Sequence, residues 1–148
     1  MNPEVEIIQL DKPGWGVIGG GISSFNKRQA GDGPTWYLCC VLEAADGSQV
    51  AGMIGVTYWN WLFIELLRVR DDLRGQGYGK KIQAMAEEEG CKRYAEYAYL
   101  DTFSYQAPEF SLKNGYETFG MLDDFPPGHQ RFFMPKELRD RWRCHFQP

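Results

Sequence analysis

The chain has little with which to hold a metal, a nucleic acid or a membrane. Its 148 residues include two histidines and four cysteines, Cys39, Cys40, Cys91 and Cys144, and no Cys-x-x-Cys pair occurs. No metal site is expected, and the cysteines read as reduced structural thiols, Cys39 and Cys40 pointing to opposite faces of one strand. The net charge of −4 leaves no basic surplus to neutralise phosphates, which argues against nucleic acid as a partner. No apolar run reaches the ~18 residues of a membrane span. Met1 to Gln9 carries two glutamates and no basic residue, unlike a secretory leader. The expectation is a cytoplasmic protein with no membrane partner.

What is there suits one globular domain over 1–148, with 43% hydrophobic and 24% charged residues. Its last stretch, 137–148, is a basic tail that includes Arg139, Arg141, Arg143 and His145. Val5 to Leu10 reads as a strand, and a helix is expected through Ile22, Phe25 and Arg28. Trp36 to Ala44 and Gln49 to Tyr58 form a hairpin about the turn Ala45-Asp46-Gly47-Ser48, and Trp59-Asn60 leads to a strand over Trp61 to Val69. Tyr78, Ile82, Met85 and Ala86 recur at helical spacing; Gly90 either ends that helix or lies inside it. Ala98 to Thr102 reads as a strand, Pro108 to Lys113 as a short helix ended by Asn114-Gly115, and Tyr116 to Leu122 and Gln130 to Met134 as strands. Asp123 to His129, with Pro126-Pro127-Gly128, is a rigid loop. The order predicts a mixed α/β sheet of six to seven strands, mostly antiparallel, with a central parallel pair made by a βαβ unit and helices on both faces.

The most informative run is Arg74-Gly75-Gln76-Gly77-Tyr78-Gly79. It joins an apolar strand to a helix, where about four backbone N–H groups lack partners and the peptide dipoles add partial positive charge. Alternate glycines let an anion approach those donors. A Walker loop fails, because Lys81 follows Gly79-Lys80 where Ser or Thr is needed. A dinucleotide fingerprint fails by one residue.

Arg-x-x-Gly-x-Gly, read as Arg74, Gly77 and Gly79, resembles the coenzyme A pyrophosphate motif of the GNAT acetyltransferase superfamily. The resemblance runs from about Phe25 onward. Trp61 to Leu67, Leu100 to Phe110 and Asp123 to His129 are similar to a bacterial branch, some of whose members acetylate small amines or antibiotics. It implies acetyl-CoA as cofactor and a small amine as acceptor. It also implies pyrophosphate contacts from Arg74, Gly75, Gln76, Gly77, Tyr78, Gly79 and Lys80, pantetheine contacts from Leu67 and Val69, and further contacts from Phe110 and Lys113.

An alkylammonium must lose a proton before it attacks a thioester. Glu65 is the candidate base: it matches a family position and interrupts an apolar strand, where a buried carboxylate is costly unless paired or functional. The family's usual acid, a tyrosine after the aromatic of the short helix, is replaced by Ser111. Tyr105 and Tyr116 are the alternative proton donors, as is water. Phe25, Trp59, Trp61, Asp123 and His129 are candidate acceptor contacts, although core packing is the more common fate of a tryptophan such as Trp59 or Trp61. Two other readings stay open, protein or peptide acetylation and an acyl-CoA sensor without transferase activity. A homodimer through edge strands is possible.

Overall fold

The computed structural model describes residues 3–138. The chain divides into two compact units, 1–33 and 34–148. In the first, a single π turn over Trp15–Gly19 runs into α1, Gly20–Ala30, which carries Ile22, Phe25 and Arg28 as expected. Gly31 stops it at φ 81°, its N–H bonded to the Lys27 carbonyl, a conformation that favours glycine. The strand expected over Val5–Leu10 does not form: these residues have no regular structure and are exposed. Alternation without a neighbouring strand leaves the backbone groups unpaired.

The second unit is one six-stranded sheet, in spatial order β1, Trp36–Glu43; β2, Gln49–Tyr58; β3, Trp61–Val69; β4, Tyr97–Phe103; β6, Gln130–Glu137; and β5, Gly120–Asp123. Every neighbouring pair is antiparallel except β3 and β4. The β1–β2 turn is built as its residues dictate. Asp46 Oδ1 accepts from the Ser48 N–H at 2.9 Å and its hydroxyl at 2.6 Å, while Gly47 takes φ 81°. Between β3 and β4 lies α2, Tyr78–Lys92, and between β4 and β5 lies α3, Pro108–Lys113.

Helix α2 packs on β1, β2 and β3. It buries Ile82, Gln83, Ala86, Glu87, Gly90 and Cys91, a stripe at i, i+4 and i+8. Gly90 therefore lies inside the helix: a Cβ there would stand 3.1 Å from Leu62 Cδ2. Met85, expected on the buried face, is 41% exposed. Leu38, Met53, Leu62, Ile64, Ala98, Leu100 and Met134 supply the sheet side of the core. Full burial of a side chain such as Leu62 or Ile82 contributes about 1.5–3 kcal/mol.

The strand expected over Tyr116–Leu122 is shorter, beginning at Gly120. Tyr116 drops into the core at 1% exposure, and the Glu117 and Phe119 N–H groups reach β6 carbonyls outside a regular ladder. Of the tail, Glu137 ends β6 and Leu138 is buried; 139–148, with Cys144, lies outside the described residues. Among the described residues no helix is long and apolar enough to cross a membrane.

Candidate active site

The sheet forks between β3 and β4. Their pairing ends at Ile64 with Leu100, although β3 runs on to Val69 and β4 to Phe103. Where the strands part, β3 carries a bulge: Ile54 pairs with Leu66 and Gly55 with Ile64, so Glu65 has no partner on β2. A bulge turns the strand and re-aims its side chains.

The bulge also changes which residues face the core. Leu62 and Ile64 are buried before it. After it, Leu67 packs on the core and Val69 Cγ2 lies 3.5 Å from where a Gly79 Cβ would be. Trp61, Phe63 and Glu65 therefore share the sheet face turned away from α2. By the same alternation Tyr97, Tyr99, Asp101 and Phe103 of β4 share it, since Ala98, Leu100 and Thr102 are buried.

Glu65 thus corrects one expectation. It is exposed, not buried, because the extra residue puts it on the open face at the fork. Among the described residues it has no hydrogen-bond or ion-pair partner. Level with it on β4 stands Asp101, bound by Arg131 through Nη2 at 2.7 Å and Nε at 2.8 Å.

The fork's β3 edge is open to a ligand. The Arg70 N–H donates to the Val50 carbonyl of β2 at 2.9 Å. Antiparallel alternation then turns the N–H and C=O groups of Leu67 and Val69 away from β2, into the fork.

At the mouth of the fork, Gly77 precedes α2 at φ 87° and Gly75 takes φ 76°, both left-handed conformations that suit glycine. The first helical bond runs from the Lys81 N–H to the Gly77 carbonyl at 3.1 Å. The amides of Tyr78, Gly79 and Lys80 precede it without an intrahelical acceptor. No side chain caps this end and the first turn has no acid; Lys80 and Lys81 stand there instead. A Cβ on Gly79 would meet the Phe110 ring at 3.2 Å, so the missing side chain is what lets α3 close against the helix start. Arg74 is exposed and pairs with Asp71 at 2.9 Å, a surface bridge worth little against a better anion. Gln76 and Lys113 are exposed nearby in sequence to these elements.

The candidate acids separate. Ser111 is 6% exposed, turned into the core. Tyr116 is buried too, its hydroxyl donating to Glu87 Oε1 at 3.0 Å, while Lys136 Nζ bonds both Glu87 oxygens at 2.9 Å. Its burial removes it from the proton donors. Tyr105 is 58% exposed, stacked on Phe103 and edge-on to His129 at 5.0 Å.

His129 sits in the loop after β5, where Phe125 N–H donates to the His129 carbonyl and Asp124 Oδ1 accepts from Gly128 N–H. Asp123 accepts from the Gln130 side chain at 3.1 Å. The loop is held by Arg131, whose guanidinium lies 5.3, 5.1 and 5.4 Å from the Phe103, Phe125 and Phe133 ring centres. Phe25 lies in the first unit, with Arg28 5.9 Å from its ring.

Trp59 and Trp61 line a groove of about 340 Å³ with Thr35, Val56, Tyr58, Phe63 and Tyr99. Phe63, Tyr99, Asp101 and Arg131 were not anticipated from the sequence. The signal that identifies the first three is the period-two pattern Trp61, Phe63, Glu65 and Tyr97, Tyr99, Asp101. Burial, with Asp101 adding to it, raises the Tyr99 phenol above its ordinary value.

Comparison with known proteins agrees with this geometry. Residues 7–116 match the model of the acetyltransferase (GNAT) family. The chain is 32% identical to acetyltransferase Atu2258 of Agrobacterium fabrum over 115 residues, 78% of this chain and 84% of that one. It is 32% identical over 93 residues to blasticidin-S acetyltransferase of Streptomyces morookaense, 62% of this chain and 68% of the relative. A crystal structure of an acetyltransferase from Bacillus cereus superposes with a TM-score of 0.83 at 29% identity, covering 89% of this chain and 97% of that one. The forked sheet, its glycine-rich helix start and these relatives together establish that the chain belongs to the GNAT family of acetyltransferases.

Proposed function

We propose that the protein is an acetyl-CoA-dependent N-acetyltransferase that acts on the primary amine of a small molecule, with both substrates bound together. The observation that carries this reading is the pairing of an uncapped, glycine-lined α2 start with an unpartnered carboxylate at the fork. Acetyl-CoA, when bound, supplies the activated acetyl thioester. Tyr78, Gly79 and Lys80 amides, with Gly75, Gln76 and Gly77 before them, suit its diphosphate, and Arg74 can leave Asp71 to join them. The free edge at Leu67 and Val69 suits the amides of the pantetheine arm, paired as a strand would be. Phe110 closes one side and Lys113 adds charge.

Glu65 is the base. Exposed on the open face, it takes the proton of the incoming ammonium directly or through one water. Its carboxylate also attracts the cation before deprotonation. Tyr105 is the phenol that remains to supply a proton when the thiol departs; Ser111 is ill suited by burial and by its weak acidity. Asp123 and His129 border the acceptor side. A small acceptor is favoured over a peptide by the aromatic groove beside Glu65, and the relative named for blasticidin S lends it support. We further propose that the protein works in the cytoplasm.

The test is release of free thiol from acetyl-CoA with a broad panel of small amines, compared between the wild type and Glu65→Gln. Amine-dependent release that Glu65→Gln abolishes supports the reading. Tight acetyl-CoA binding without release for any amine makes the protein a sensor, and release only with peptides makes it a peptide acetyltransferase.

A further inference from the structure

The groove lined by Trp59, Trp61, Phe63 and Tyr99 is more than a neighbour of the base. Trp61, Phe63 and Glu65 alternate on one face of β3, so the groove and the carboxylate open to the same side. One residue of strand, Ile64, separates Phe63 from Glu65, about 7 Å between their Cα atoms. A flat guest in the groove therefore lies within side-chain reach of Glu65 when its amine sits on a short arm. The rings of the groove pack on one another. Phe63 stacks on Tyr99 with centroids 4.6 Å apart, and Trp61 stands edge-on to Tyr99 at 5.8 Å. Thr35 is the one hydrogen-bonding side chain in the lining besides the Tyr and Trp tips.

A second, independent observation comes from the turn. Trp59 takes φ 49° in the two-residue link between β2 and β3. Glycine or asparagine adopts that conformation with little strain, whereas a bulky side chain does so only when its surroundings enforce it. Here the strained residue places an indole against Tyr58, centroids 4.2 Å apart, at the rim of the groove.

We infer that the acceptor is an amine carried on a flat, aromatic or conjugated body, which lies in the Trp59–Trp61–Phe63–Tyr99 groove while its amine reaches Glu65. The inference rests on the transferase reading above. The negative carboxylate beside an electron-rich aromatic wall complements a protonated amine approaching from this face. Trp61 and Trp59 then determine which amines are accepted.

Two amines of similar basicity separate the possibilities, 2-phenylethylamine and hexylamine, each titrated by calorimetry into the full chain with and without coenzyme A. 2-Phenylethylamine is expected to bind at least tenfold more tightly than hexylamine, and Trp61→Leu to erase the difference. Trp59→Asn is expected to hold or raise the melting temperature, because it relieves the backbone, while weakening 2-phenylethylamine several-fold. Equal binding of the two amines, no binding of either, or an unchanged ratio in Trp61→Leu overturns the inference. If coenzyme A itself fails to bind, the transferase reading falls, and the titrations without it still decide whether the groove selects flat amines.

Discussion

Gly55 presses its Cα against the backbone of Phe63: a Cβ at this position would lie 2.7 Å from the Phe63 carbonyl oxygen. The contact sits at the register shift between Ile54 and Gly55, so the glycine on β2 is what allows β3 to carry its bulge and present Glu65. Gly55→Ala forces the backbone apart and is expected to cost about 1–3 kcal/mol. Urea unfolding reads that loss. At temperatures where the variant stays folded, thiol release should fall further than the folded fraction does, because Glu65 moves with the bulge.

Glu65→Gln preserves shape and removes the proposed base. Its kcat for any accepted amine should fall about 10²- to 10⁴-fold, the usual contribution of a positioned base. The acetyl-CoA dissociation constant should be unchanged. An equal weakening of acetyl-CoA binding would instead mean that Glu65 helps to hold the donor.

Gly79→Ala separates helix stability from ligand binding. Alanine favours the helix by about 1 kcal/mol, but its methyl meets the half-buried Phe110 ring at 3.2 Å. The ring can give way by a few tenths of an ångström, so the melting temperature should change little. Acetyl-CoA affinity should drop severalfold, since the methyl narrows the space before the amides of α2.

Lys136 and Glu87 form a buried pair, 8% and 0% exposed at their side chains and 2.9 Å apart, which ties α2 to β6. Lys136→Met strands the Glu87 charge and is expected to destabilise by about 3–5 kcal/mol. Adding Glu87→Leu should recover much of that loss. Chemical denaturation of the single and double variants measures both steps.

Cys91 gives a pH signature. Burial, with Glu87 and Glu88 adding repulsion, pushes its thiol from near 9 up to about 11. The folded state therefore holds this proton more tightly than the unfolded chain. Stability from this group is full below about pH 9 and declines as pH rises towards 11. Denaturation midpoints of wild type and Cys91→Ala should diverge in slope across that window and run parallel below it.

The β1–β2 hairpin, α2 and α3 were legible because local chemistry decides them: Asp46-Gly47-Ser48 can scarcely do other than turn, and Pro108 and Asn114-Gly115 bracket one short helix. The glycine-lined start of α2 was legible for the same reason, since its glycines and its helix start are neighbours in sequence. The strand over Val5–Leu10 and the early start of β5 were misread because a strand exists only with a partner, and the partner is remote. For Glu65 the expected burial is what fails. A carboxylate in an apolar strand suggests burial, and only the pairing of Ile54 with Leu66 reveals the extra residue that turns it outward. Ser111 and Tyr116 drew attention as hydroxyls, yet long-range packing against α2 and β6 buries them.

The start of α2 is proposed to hold the diphosphate of acetyl-CoA, and amide hydrogen exchange tests this most directly. With saturating acetyl-CoA, the amides from Gly75 to Lys80 should exchange at least tenfold more slowly, while those of Arg93 and Tyr94 at the opposite end of α2 stay unchanged. Exchange of Gly75 to Lys80 at the same rate with and without acetyl-CoA would contradict the account.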